Sequence, residues 1–237
     1  MSYLDHVKKS DGRHTRRTLI YGTHGVGKTT WASRWPNPVL LPTEDGHRDV
    51  DVPAGPVIKT TAGLLSAIKD VTASDFSTVI IDSIDWAEKN ILAEIDKEGV
   101  DTGWGKGDKE VAVRLGKVLT ALDECRDAGK HIILIGHEHL AKVVRPDGKE
   151  YGTRTVNLTK LAARRVCEWC DEVLFAEADI TVKSSDGKFG GIAVDKKTRS
   201  LYTSSSPLRD AKHRLKGLPD RFELGDVESY LSFVLGE

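Results

Sequence analysis

Gly22-Thr23-His24-Gly25-Val26-Gly27-Lys28-Thr29 narrows what this chain can become more than any other segment, because it fits the pattern G-x-x-x-x-G-K-[ST] at every fixed position. In front of it Thr18 to Tyr21 reads as a buried strand, and behind it Lys28 to Trp35 has helical spacing. A glycine-rich turn between strand and helix lets backbone N–H groups converge on phosphate oxygens. Lys28 then reaches the β- and γ-phosphates, and Thr29 offers a hydroxyl to Mg²⁺. The expected ligand is a nucleoside triphosphate with Mg²⁺, contacted from Gly22, Thr23, His24, Gly25, Val26, Gly27, Lys28, Thr29 and Thr30.

The chemistry requires more groups around that loop. Thr78-Val79-Ile80-Ile81-Asp82 is an apolar run ending in a carboxylate, and Asp82 at a strand's carboxyl end is expected to hold the Mg²⁺ shell. Ser83 follows, not a glutamate, so the group that orients the attacking water is sought on a neighbouring strand. Val39 to Leu41 leads into Thr43-Glu44-Asp45, and Glu44 is the expected water-activating residue. Ile132 to Ile135 ends in Gly136-His137-Glu138-His139, where His137 is placed to touch the γ-phosphate and report hydrolysis to the loop that follows. Alternation puts His137 and His139 on one side, but the sequence offers no third metal ligand beside them.

Strand-like runs at Val57 to Lys59, Thr78 to Asp82 and His131 to Gly136 alternate with helical patterns at Ala62 to Val71, Ser83 to Lys97 and Lys109 to Asp127. In the last of these, Val113, Leu115, Val118, Leu119 and Leu122 make the apolar face. This is the pattern of an α/β fold with a mostly parallel central sheet flanked by helices. Beyond Gly136 the period changes to two over Val173 to Lys183, Phe189 to Val194 and Ser200 to Thr203, with Ser185-Asp186-Gly187 as the turn of an antiparallel hairpin extension. Glu98 to Asp108 and Lys142 to Thr155 read as charged, glycine-containing loops. A basic arm, residues 1–17, precedes one expected domain over 18–237.

The 35 Lys and Arg nearly balance 36 Asp and Glu, so any affinity for nucleic acid has to come from a local patch. Lys142 to Arg165 is such a patch, with seven basic residues against Asp147 and Glu150. No apolar run has the ~20 residues that span a bilayer, and the polar, basic start is unlike a signal peptide; a soluble cytoplasmic protein without membrane partners is expected. Cys125, Cys167 and Cys170 are too few for a disulfide framework, and Cys167-Glu-Trp-Cys170 lacks a second pair to complete a zinc site, so a buried helical pair is the expected state.

Taken in order along the chain, the phosphate loop, Thr43-Glu44-Asp45, Val79 to Ser83, His137-Glu138, the Gly103-Trp104-Gly105-Lys106-Gly107 loop and Ala211-Lys212-His213-Arg214 resemble the RecA-like ATPases. They resemble more closely the short phage nucleotide-binding proteins of that group that act as single-strand annealing recombinases. The resemblance runs from about Thr18 to Leu224, and its one specific motif is the phosphate loop. It implies an ATPase that hydrolyses ATP with Mg²⁺ at subunit interfaces of a ring or filament, with Glu44 as the carboxylate after the second strand. Lys212-His213-Arg214-Leu215-Lys216-Gly217 looks like the K-N-R-F-G segment of RadA-type proteins, whose basic residues reach a neighbouring subunit's nucleotide; here His213 replaces the Asn, and Leu215-Lys216 interrupts the pattern. Lys212 and Arg214 inherit that catalytic expectation. The resemblance further implies single-stranded DNA held by Trp104, Lys106, Lys142, Arg145, Lys149 and Arg154, with Trp104 either stacking on a base or packing at a subunit interface or under the loop. A single-strand-binding protein is a further implied partner. The rival functions are a helicase loader or partner-remodelling ATPase, and a small-molecule kinase.

Overall fold

The computed structural model describes residues 14–184 and 191–236. Most of the basic arm and the Ser185-Asp186-Gly187 turn lie outside them. Strands β1 (Arg17–Gly22), β2 (Pro38–Pro42), β3 (Thr78–Asp82), β4 (His131–Val144), β5 (Glu150–Val156), β6 (Glu172–Ser184), β7 (Gly191–Tyr202) and β8 (Arg221–Glu223) form one sheet. Its order is β2-β3-β4-β1-β6-β7-β8, with β5 paired to β4. The ladders β2/β3, β3/β4, β4/β1 and β1/β6 are parallel; β6/β7, β7/β8 and β4/β5 are antiparallel. The expected parallel core with an antiparallel extension is thus the architecture of the chain.

Strand alternation divides the apolar residues between two layers. Leu19, Val79, Ile81, Ile132 and Leu134 face the cluster formed with α2 (Thr61–Thr72), α3 (Ile84–Lys97), α4 (Lys106–Asp127) and α5 (Lys160–Trp169). Ile20, Leu40, Ile80, Ile133 and Ile135 face the other, formed with α1 (Lys28–Ala32) and α6 (Val227–Leu235). Because both faces are covered, the parallel strands read as continuous apolar runs. In α4 the buried stripe is Val111, Leu115, Val118, Leu122 and Cys125, a helical spacing that leaves Val113 on the opposite side, 51% exposed.

Several expected elements change their limits. Helix α1 ends at Ala32, before Trp35, because Trp35 precedes Pro36 and a residue before proline is driven out of the helical region. Val57 to Lys59 is extended chain between Pro56 and α2, tied to the sheet by Ile58 N–H donating to the Pro42 carbonyl (2.8 Å), and is no strand. Lys142 to Thr155 is an antiparallel ribbon made by the second half of β4 with β5, turning at Arg145-Pro146-Asp147-Gly148.

Candidate nucleotide site

The carboxyl ends of β1, β2 and β3 and the middle of β4 converge on a cavity of about 300 Å³ lined by His24, Gly27, Lys28, Thr29, Glu44, Asp82 and His137, among others. Gly22 ends β1 so close to β6 that a Cβ there would lie 2.0 Å from the Ala176 carbonyl oxygen. Gly27 sits at φ 105°, a conformation open to glycine, and turns the chain into α1. These two positions explain why the pattern needs glycines around the loop.

Lys28 is buried, and its Nζ donates to the carbonyls of Gly22 (3.1 Å) and Thr23 (2.8 Å), which aims the ammonium along the inside of the loop. Burial pulls its pKa below the usual lysine range against the pull of Asp82, Asp85 and Glu44. Thr29 Oγ1 donates to Asp82 Oδ2 at 2.9 Å. Burial holds the Asp82 carboxyl above the usual carboxylate range, against that hydrogen bond, and Glu44 adds to the upward shift. A poorly solvated ammonium beside a poorly solvated carboxylate suits an incoming polyphosphate and divalent cation respectively. The hydroxyl and carboxylate oxygens of Thr29 and Asp82 are the hard donors that Mg²⁺ takes, so the residues present fit the ion.

Glu44 is fixed by a chain of bonds between the ends of β2 and β3. Thr43 N–H donates to the Asp82 carbonyl (2.7 Å), Thr43 Oγ1 to the Ser83 carbonyl (2.6 Å), and Ser83 Oγ to Glu44 Oε1 (2.7 Å). Asp45 instead pairs with Arg48 at 2.8 Å in the solvent and does not line the phosphate cavity. Ser83, which holds the Glu44 carboxylate, is not singled out in the sequence; its signal is a polar residue directly after Asp82.

His137 donates from Nδ1 to Asp85 Oδ2 (2.9 Å), and its ring stacks on His24 with centroids 3.9 Å apart. Burial alone would raise the Asp85 carboxyl, but the hydrogen bond and charge of His137, with Ser83 and Lys89, hold it below the usual range. Burial, then His137 and Lys28, lower the His24 pKa. His24 is thus built into the cavity wall through His137, a contact between the phosphate loop and strand β4 that no sequence pattern announces.

The remaining predicted residues lie elsewhere. Lys212 pairs through its backbone with Val173 (2.8 and 2.9 Å), and Arg214 approaches Asp171 at 3.7 Å. Val173 and Asp171 lie at the amino end of β6, and β1 rises ~13 Å from Thr18, beside Glu172, to Gly22. Both basic residues are therefore set apart from the chain's own phosphate loop. Trp104 is 100% exposed in a 3-10 turn, Gly103–Gly105, and Lys106 next to it pairs with Asp101.

In the ribbon, directly paired residues share a face. Glu138/Val156, Leu140/Arg154, Lys142/Gly152 and Val144/Glu150 form one face, on which Lys142 pairs with Glu150 (2.6 Å) and Arg154 with Glu138 (3.3 Å). Arg154 also approaches Glu177 at 3.6 Å, so it is committed within the chain. His139/Thr155, Ala141/Thr153 and Val143/Tyr151 form the other face, which has no carboxylate along its ladder, and the same alternation sets Arg145 and Lys149 at its tip. Arg145 is 3.7 Å from Asp147 in the turn. The basic segment seen in sequence therefore splits: Arg164 pairs with Glu168 (2.8 Å) and Arg165 bonds the Ala112 carbonyl, both on α5 and away from the ribbon. Among the described residues no group of three or more His, Cys, Asp and Glu side chains assembles as a metal site, and no helix is long and apolar enough to cross a membrane. Cys125, Cys167 and Cys170 are free thiols, with burial pushing Cys167 up to about 11.

A phosphate loop opening from the central strand of a covered, mostly parallel sheet, with an acidic strand end beside it, defines a P-loop nucleoside-triphosphate-binding fold. A family model described as AAA domain matches residues 14–215, and the chain belongs to that family of P-loop ATPase domains. No curated protein matches it.

Proposed function

We propose that this chain, acting from residue 18 onward as one ATPase domain, hydrolyses ATP with Mg²⁺ in an oligomer that binds and anneals single-stranded DNA in the cytoplasm. The observation that carries the reading is the course of β4: it passes the phosphate cavity at His137 and continues without a break into the ribbon that bears Arg145, Lys149 and Tyr151. The state of the γ-phosphate and the orientation of the ribbon share one strand.

In this mechanism Lys28 binds the β- and γ-phosphates, leaving its two carbonyl partners to the loop. Thr29 and Asp82 would hold Mg²⁺, which would supply positive charge against the triphosphate. Glu44, held by Ser83, orients a water toward the γ-phosphorus and takes its proton. His137 keeps Nδ1 on Asp85 and turns Nε2 to the cavity. Lys212 and Arg214, remote from their own loop, complete a neighbour's site, so turnover per subunit rises with protein concentration as the oligomer forms.

ATP turnover measured with and without single-stranded oligonucleotides tests the function. Stimulation that disappears in Lys149→Ala/Arg145→Ala supports it, and turnover indifferent to DNA, with no binding at low salt, contradicts it. A second reading, a partner-remodelling ATPase, is favoured by the opposite ribbon face, where Leu140 and Val144 are 67% and 61% exposed beside internally paired charges.

A further inference from the structure

A second cavity, of about 490 Å³, adjoins the phosphate site on the side of Glu44: it shares Glu44 and Gly46 with that site and runs out past Trp86. One attacking water takes up about 30 Å³, so hydrolysis by itself uses little of this space. The walls are mainly apolar, with Val57 and the exposed indole of Trp86 among them. Lys89, 3.6 Å from Asp85, sets its Nζ 4.3 Å from the centroid of the Trp86 ring, which holds one face of the indole and leaves the other for a second flat ring. Asn90 gives its Nδ2 hydrogens to the carbonyls of Thr43 (3.4 Å) and Ile58 (3.3 Å), which fixes the amide and leaves Oδ1 as an acceptor. The Asp45 carboxylate adds further acceptor oxygens on the same lining, and Lys59 is an exposed cation on it.

A flat ring that carries N–H donors and is joined to an anion fits these walls: the ring meets Trp86, the donors meet Asn90 and Asp45, and the anion stays outside with Lys59 and Lys89. Bases of a duplex are paired and stacked, so only an unpaired strand can offer such a ring. We propose that this cavity receives one unstacked base of single-stranded DNA. This rests on the DNA-binding reading above and adds to it a contact beside Glu44, apart from the ribbon. A base seated there closes the open side of Glu44 to bulk solvent and confines the attacking water, so hydrolysis depends on the strand's bases as well as on its phosphates.

Two oligonucleotides of equal length and charge test this, one of deoxycytidine, whose amino group suits the acceptors, and one abasic throughout. Each is titrated by fluorescence anisotropy against the full chain with Mg²⁺ and a non-hydrolysable ATP analogue, and ATP turnover is read in parallel. Wild type should bind the cytosine strand more tightly than the abasic one. Trp86→Ala should weaken the cytosine strand about five- to hundredfold and leave the abasic strand within about twofold. Val57→Trp, which fills the cavity and keeps the Trp86 indole, should act in the same direction. The cytosine strand should stimulate turnover, and the abasic strand should leave it at the DNA-free rate. Equal wild-type affinity for the two strands, equal stimulation by them, or a loss on both strands or on neither in the two variants overturns the base site and leaves the ribbon's phosphate contacts standing. Loss of assembly in Trp86→Ala, seen by light scattering, also overturns it and gives the cavity to a side chain of a second copy. No binding of either strand by wild type at low salt overturns the DNA reading itself, and the base site with it.

Discussion

From His131 to His137 strand β4 is packed between β1 and β3, and from Glu138 to Val144 the same strand is one edge of a ribbon open to solvent. In the buried half, polar groups have single partners at short range: His137 on Asp85, Arg16 N–H on His131 Nδ1 (3.2 Å). In the exposed half, Lys142 and Arg154 pair with carboxylates on one face, in pairs that contribute roughly 0–1 kcal/mol, while the other face has no carboxylate along its ladder and carries Arg145 and Lys149 at its tip. One half holds its polar groups in fixed geometry; the other holds its cations in solvent. Substitutions should therefore have large, position-specific effects on the first side of His137 and small, salt-dependent ones on the second.

The largest effect is expected at the loop that faces the buried half. Lys28→Ala removes the one ammonium that lines the cavity among the described residues and should weaken Mg·ATP binding by about 100-fold or more, the scale of two lost charge-assisted hydrogen bonds, as read by calorimetry. Unaltered affinity would sink the site assignment.

At the foot of β4, burial, then Arg16 and His14, lower the His131 pKa from 6.5 to about 4. The folded value lies below the unfolded one, so between these pH values the unfolded chain binds more protons. The stabilisation is full above pH 6.5 and is lost as pH falls toward 4, by up to about 3 kcal/mol. His131→Gln should flatten that part of the pH profile in urea unfolding. A variant as acid-sensitive as wild type would show that another group is responsible.

Ser83→Ala leaves the cavity's charges in place but frees Glu44. Turnover should fall about tenfold while ATP affinity stays within about twofold, because the lost bond orients a charged group and binds no phosphate. An equal loss in affinity would instead place Ser83 among the binding groups.

How much of this was legible in the sequence follows the same division. That the phosphate loop, Asp82 and Glu44 lie together at strand ends is readable because backbone turns and buried strand ends restrict residue types tightly, and the parallel core because both of its faces are apolar. Ser83, the His24–His137 stack and the splitting of the basic segment depend on which strands lie side by side, and β4 standing between β1 and β3 is not encoded in any local pattern. The ribbon was not legible: the charges around Val143-Val144 and Pro146-Asp147-Gly148 make Lys142 to Thr155 read as loop, although the chain pairs as a hairpin there. Helix α6 and strand β8 carry too few residues of clear period to stand out before Phe222 and Tyr230 are seen in the same core.

The smallest effects belong to the ribbon. Lys149→Ala should lower the slope of log affinity against log salt for single-stranded DNA by about 0.7, one phosphate contact, whereas Lys142→Ala, on the paired face, should leave the slope unchanged. Equal slopes for both variants would erase the distinction between the two faces.

The most direct test of the central claim, hydrolysis of ATP by water oriented at Glu44, is a single-turnover measurement on Glu44→Gln. The amide keeps the shape and the Ser83 contact but takes no proton. ATP and Mg²⁺ should bind with near wild-type affinity while the hydrolysis step slows by about 10²- to 10⁴-fold, the usual worth of a positioned base. Normal single-turnover rates in Glu44→Gln, with the loss appearing in Asp45→Asn, would contradict it.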